Sequence, residues 1–155
     1  MCEYCGCRQV DPIAELMDEH LALLDLAGDL RRALVDGDLT CAETRRAELA
    51  DLLAAHTGRE EAGVFAALRA QGDFVEEVDA LEGEHVSLDQ HAGSLDLDDP
   101  AALDVLDGLV SDLTEHIDRE NLGIFPVAVV TLGATGWDIV DQAHQRPTRE
   151  AVSPS

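Results

Sequence analysis

Apolar residues recur at helical spacing through most of the chain. The first stripe runs Ile13, Leu16, His20, Leu23, Ala27, Leu30, Leu34, in alternating steps of three and four. That is the repeat of a helix that buries one face against neighbours. Asp11-Pro12 predicts its start, as a cap followed by a first-turn proline, and Asp36-Gly37-Asp38 its end. Thr40-Cys41-Ala42-Glu43 has the form of a capping box. The stripe after it, Leu49, Leu52, His56, Glu60, Gly63, Ala67, closes at Gln71-Gly72. Asp73-Phe74-Val75-Glu76 predicts a similar start for a third helix, with the stripe Val78, Leu81, His85, Leu88, Ala92, Leu95. The acidic run from Asp96 to Asp99 forms the next turn, and Asp99-Pro100 opens a fourth helix with Leu106, Leu109, Leu113, His116 and Glu120 inward. Pro126 kinks or ends it. Residues 135–144 predict a short fifth helix carrying Trp137, and 145–155, with Pro147 and Pro154, a loose tail.

Short turns between long helices imply antiparallel neighbours. The expected fold is therefore all-α, an up-down-up-down four-helix bundle with a short C-terminal fifth helix. The organisation reads as a Cys-rich segment over 1–11, the bundle over 12–133, and the short helix and tail over 134–155. Aromatic residues make up only 3% of the chain, so Leu, Ala and Val fill the core, a composition that favours helices over strands. Gly58 and Gly63 lower the intrinsic helicity of the second helix, which packing must hold in place.

The two halves repeat. His56-Thr57-Gly58-Arg59-Glu60-Glu61-Ala62-Gly63-Val64-Phe65 matches His116-Ile117-Asp118-Arg119-Glu120-Asn121-Leu122-Gly123-Ile124-Phe125. Upstream, Glu19-His20 is echoed by Glu84-His85. Each half is a helix with one core-facing His, then a helix with H-x-x-x-E.

His and Glu four apart lie on one helical face about one turn apart, so both reach the same interior region. Four imidazoles and two carboxylates on core-facing stripes can hold metal: carboxylates bridge two cations while imidazoles cap each. Nitrogen and oxygen donors without thiolate suit iron or manganese. A single stripe His is more often a hydrogen-bonded core residue. Here that reading needs four histidines and two glutamates buried in a duplicated order, with unpaired carboxylates costing several kcal/mol each. The metal reading is the stronger.

The order H … H-x-x-x-E … H … H-x-x-x-E over about residues 12–130 resembles the hemerythrin-like (HHE cation-binding) domain, in the form found among actinobacterial members. The resemblance implies two iron ions with an oxo or hydroxo bridge. His20, His56, His85 and His116 would be terminal ligands, and Glu60 and Glu120 would bridge. The oxygen carriers of that family have a fifth His; here Asp89 stands four residues after His85 and Leu81 four before. Their last carboxylate is an Asp five residues after its His, whereas Glu120 is four after. An even split of four histidines leaves a position open at both irons, which favours reaction with O2, hydrogen peroxide or nitric oxide over reversible carriage. The resemblance thus implies a non-haem di-iron protein of oxidative and nitrosative stress, with catalase-like or nitric oxide peroxidase or reductase activity as the enzyme reading. An iron, oxygen or redox sensor or store without turnover is one alternative. An iron donor for repair of iron–sulfur centres is another.

Other residues carry two readings each. Asp89 is an extra metal ligand or, more simply, a surface acid. His91 is rotated off the shared face, and His144 lies in the tail. Arg59 and Arg119 read as surface ion-pair partners, and Glu19, Glu84 and Glu115 as water-facing. Phe65 and Phe125 read as pocket lining that keeps the centre dry. Cys2, Cys5 and Cys7 form C-x-x-C-x-C, either a thiol redox pair or a second metal site needing a fourth ligand such as Cys41, or else unused thiols. Beyond the metal, no catalytic constellation is evident.

Charge and cysteine usage bound the partners. The net charge is −23, with Asp+Glu 33 against Lys+Arg 10, and all the basic residues are Arg. Such a surface repels nucleic acid and anionic membranes. Expected partners are small diatomic or peroxide ligands and a reductase or thiol electron donor. The start of the chain shows neither a basic n-region nor an apolar h-region, and the four cysteines do not form a spaced disulfide framework. The expected compartment is the cytoplasm.

Overall fold

The computed structural model describes residues 10–150, with side chains described as far as Gln145. Helix α1 spans Asp11–Val35. Helix α2 runs unbroken through three stretches: Leu39–Glu60 as α-helix, Glu61–Phe65 as a π turn, and Ala66–Gln71 as α-helix again. Helix α3 is Val75–Ser94. Helix α4 repeats the make-up of α2, with Ala102–Arg119, the π turn Glu120–Ile124, and Phe125–Thr131. Helix α5 spans Ala134–Glu150. There is no strand among the described residues, and no described helix is long and apolar enough to cross a membrane.

Both α1 and α3 pack on α2 and α4, so the four long helices close a square in chain order. The predicted bundle is thereby formed. Helix α5 lies outside the square, on the 61–71 stretch of α2 and against α1. It is longer than the sequence predicts, and it runs through Pro147.

The stripes of α3 and α4 are buried at every predicted position. In α1 the stripe ends on Ala33 rather than Leu34, and in α2 Leu53 takes the place of Leu52. A helix of 3.6 residues per turn drifts against a 3.5-residue repeat, which moves the buried face by one residue. The core is divided in two. One apolar cluster holds Leu16, Phe65, Leu81, Phe125 and Val140. The other holds Leu23, Leu53, Leu88, Leu106 and Leu113. The polar residues of the stripes fall between them along every helix.

Helix starts depart from the predicted caps. Asp11 is already helical; Val10 takes the cap position, and its carbonyl accepts from Ala14 N at 2.9 Å. Asp38 caps α2 in place of the Thr40 box, its carboxylate accepting from Cys41 N at 3.0 Å. Glu43 pairs with Arg46 and is not available to close a box. Phe74 precedes α3 with φ 56° and no side-chain cap. The chain gets there through Gly72, whose φ of 76° ends α2. Asp99 Oδ1 accepts from Ala101 N at 2.8 Å, forming a turn over Pro100, so α4 starts at Ala102.

Pro126 does not end α4, which continues to Thr131. The wide turn before it is not a proline effect, since α2 makes the same turn at 61–65 without a proline. It belongs to the repeat. In each half it begins at or just after the H-x-x-x-E glutamate, as π turns inside α-helices often do at functional sites.

Candidate metal centre

Between the two apolar clusters, six polar side chains converge. His20, His56, His85 and His116 are 1–3% exposed, and Glu60 and Glu120 are fully buried. Glu60 Oε1 lies 2.8 Å from His56 Nε2 and 3.4 Å from His20 Nε2. Its Oε2 lies 3.1 Å from His85 Nε2. Glu120 Oε1 lies 3.0 Å from His116 Nε2 and 3.2 Å from His20 Nε2, and its Oε2 3.6 Å from His85 Nε2. The donors form two groups that share both carboxylates: His20, His56, Glu60 and Glu120, and Glu60, His85, His116 and Glu120.

The rings are held from outside. His20 Nδ1 lies 2.9 Å from Asn121 Oδ1, His56 Nδ1 3.0 Å from Glu19 Oε2, and His85 Nδ1 2.9 Å from Glu61 Oε1. With Nε2 turned to the centre, each Nδ1 carries the proton and donates it to these acceptors, the arrangement that fixes a ligating imidazole. His116 Nδ1 is looser, 3.5 Å from Glu84 Oε1. Arg59 pairs with Glu19, and Arg119 with Glu84. Phe125 stacks on His20 with ring centroids 5.7 Å apart, and Phe65 on His85 at 5.4 Å. The H-x-x-x-E helix of each half therefore holds the solitary His of the other half. This exchange locks the halves together.

Sequence reasoning missed this outer shell. Glu19 and Glu84 do not face water as expected. One residue ahead of a core His, they are rotated about 100° toward the adjoining H-x-x-x-E helix, where His56 and His116 lie. Glu115 is exposed and pairs with Arg119 at 3.6 Å. Glu61 and Asn121 follow the two glutamates, and their shared place in the repeat was the available signal. Phe65 and Phe125 are fully buried and line the centre.

The remaining candidates lie elsewhere. Asp89 Oδ2 accepts from Thr57 Oγ1 at 3.2 Å, and Asp89 belongs to neither donor group. His91 is exposed, and His144 Nδ1 lies 2.7 Å from Glu15 Oε2, tying α5 to α1. Cys41 is half-buried. Cys2, Cys5 and Cys7 lie outside the described residues.

The electrostatics show what the centre lacks. Burial pushes His20, His56 and His85 down, but contacts with Glu60 and Glu120 outweigh it and hold all three above their ordinary values, His85 at about 11. Burial pushes Glu60 up, yet His56, His20 and His85 carry it well below the usual carboxylate range. Glu120 is also held low, against burial and the Glu60 charge, by His116, His20 and His85. None of the four carboxylate oxygens completes a hydrogen bond, nor do the Nε2 atoms of His20 and His56. Buried carboxylates in that state are costly unless a cation is bound among them. Paired imidazole and carboxylate donors fit a first-row divalent metal.

The profile of the Hemerythrin HHE cation binding domain matches residues 11–128. The chain belongs to this hemerythrin family. The match runs from the start of α1 into the last turns of α4, takes in every residue of both donor groups, and stops short of α5. Comparison with curated proteins and with solved structures gives no match. A hemerythrin-family bundle with two His and Glu groups in its core is a metal-binding protein.

Proposed function

We propose that this hemerythrin-like protein holds two iron ions and reduces or disproportionates small oxidants, namely O2, hydrogen peroxide or nitric oxide. The observation that carries the reading is the sharing of Glu60 and Glu120 by two donor groups, each completed by two imidazoles. His20 and His56 with Glu60 and Glu120 would hold one ion, and His85 and His116 with the same two glutamates would hold the other. Four protein donors leave positions free at an ion that prefers six.

Bound iron supplies electron transfer and sites where a small oxidant can be ligated. The chain's own residues do the rest. Glu60 and Glu120 would be shared by the two ions. Glu19, Glu61 and Asn121 hold the imidazole Nδ1 protons, so that Nε2 stays a donor. Phe65 and Phe125 exclude water on either side. The His116 side is the most open, because a polar cavity of about 170 Å3 reaches it between Glu84, Ser87, Asp112 and Arg119. A space of that size admits a diatomic molecule or peroxide.

The test is iron content and the optical spectrum of the aerobically purified protein, before and after excess peroxide. Two irons per chain, charge-transfer bands and oxygen evolution are expected. Two irons without peroxide turnover would point to nitric oxide chemistry, sensing or iron delivery. Failure to take up iron after anaerobic reconstitution would end the reading.

A further inference from the structure

Gly63 and Gly123 occupy the same step of the repeat, but their surroundings differ. A Cβ built on Gly63 would come 3.1 Å from Ala143 Cβ and 3.6 Å from Val140 Cα, because α5 lies directly on it. A Cβ on Gly123 would meet nothing within 4 Å among the described residues. Helix α5 fills the furrow between α1 and α2, where His144 reaches Glu15. Aligning His20 with His85 puts Ala80 in the place of Glu15, and among the described residues nothing fills the matching furrow between α3 and α4. It is a groove of about 730 Å3 whose wall includes Phe74, Leu81, Leu122, Gly123, Ile124 and Val127. Leu122 is 63% exposed there, and Phe74 39%. The twin ion pairs show the same contrast. Arg59 and Glu19, on the α5 side, are 21% and 16% exposed, while Arg119 and Glu84 are 56% and 27%.

We infer that the α3–α4 groove is a docking site for a helix of a partner protein, apolar on one side, with a small residue over Gly123 and cationic flanks. The groove is shaped for a helix because its twin holds one. A small residue is required because the close approach at Gly63 is made by an alanine. Positive flanks follow from the rim, where Glu77, Glu84 and Asp118 stand and the one cation among the described lining residues, Arg119, is engaged by Glu84. A second copy of this chain fits poorly, since it would bring the same acidic rim and a net charge of −23. A docked helix would cover the Glu84–Arg119 pair beside His116 and close the open side of the centre. The inference rests on the repeat and the groove, and it stands whether or not iron is the metal.

A labelled synthetic peptide of residues 134–145 with Asp138→Lys and Asp141→Lys serves as the probe, titrated into the full-length metal-loaded protein with fluorescence anisotropy as readout. Saturable binding is expected, weakening as salt is raised and at least tenfold weaker for the unmodified acidic peptide. Leu122→Asp and Gly123→Leu on the protein should each weaken binding at least tenfold. Both positions face open space among the described residues, and a melting temperature that does not fall below that of the wild type verifies the fold of each variant. Absence of saturable binding to the wild-type protein overturns the inference. So does equal binding to Leu122→Asp, which would mark mere attraction to an acidic surface. Sedimentation showing a dimer that Leu122→Asp dissociates would overturn it too, in favour of self-association.

Discussion

Glu61 and Asn121 stand at the same step of the repeat, and each holds the solitary histidine of the opposite half, at 2.9 Å from His85 Nδ1 and 2.9 Å from His20 Nδ1 respectively. One acceptor is an anion and the other a neutral amide. The His85–His116 group thus has two carboxylates behind its rings, Glu61 and Glu84, and the His20–His56 group has only Glu19. An anionic acceptor raises the basicity of the imidazole it holds.

Metal should therefore fill the two groups in order, the His85–His116 group first. Asn121→Asp should bring the two binding steps together by tightening the weaker one, and Asn121→Ala should weaken it by about 10–100-fold, the usual effect of losing such a partner. Competition titration against a chelator of known affinity reads both steps. Two steps that do not respond to Asn121→Asp would show that the outer acceptors do not set the order.

The shared glutamates and the unshared histidines should behave differently when removed. Glu60→Ala takes a donor from both groups, so metal content should fall toward zero. His56→Ala touches one group and should leave the other loaded. Without metal, Glu60→Ala also strands buried imidazolium groups, a loss on the order of 3–5 kcal/mol. Elemental analysis and denaturant midpoints of the metal-free variants provide the check. Equal metal loss in the two variants would count against the shared-carboxylate arrangement.

Gly63 and Gly123 should respond in opposite directions to an added side chain. Gly123→Ala meets open space on a helix and should stabilise by about 0.5–1 kcal/mol, since alanine is the better helix former. Gly63→Val must displace α5 at Ala143 and should cost about 1–3 kcal/mol, as overpacking does. Thermal melts of the two variants settle the matter. A destabilised Gly123→Ala would mean that its side of α4 is not open in solution.

How much of this was legible beforehand depends on what each feature rests on. The stripes of α3 and α4 were readable at every position because burial there follows a simple period, and the repeat of a solitary His followed by H-x-x-x-E marked the six side chains that converge. The caps were misread, since several polar residues compete at each helix start and local geometry picks the winner, as at Asp38 over Thr40. The outer shell was not legible at Glu19 and Glu84, because a residue beside one core histidine in sequence serves another histidine on a different helix. Nor could the period show that α5 seats on Gly63 and leaves Gly123 bare. That difference lies in where the chain goes after Thr131, where Gln71 braces the turn by donating to Thr131 O at 3.0 Å and accepting from Gly133 N at 3.0 Å.

The gain in stability on metal binding should grow as pH rises from about 5.5 to 8. In the metal-free protein the His and Glu charges stabilise each other. The carboxylates, held low, contribute above their unfolded value of about 4.3 and lose that contribution as pH falls through their folded values. The histidines, held high, contribute fully below their unfolded value of about 6.5 and lose that contribution as pH rises toward the folded values, about 11 for His85. The metal-free centre is thus most stabilising between about 4.3 and 6.5. Metal must displace the protons from His20, His56 and His85, so each such proton makes binding about tenfold tighter per pH unit while the imidazole is still protonated. Tighter binding raises the melting temperature of the loaded protein by mass action, while the metal-free protein gradually loses its His–Glu contribution above pH 6.5. Calorimetry of both forms across the range should show the gap widening, and metal addition in weak buffer should release protons. A gap independent of pH, with no proton release, would mean that the imidazoles are already neutral before metal arrives.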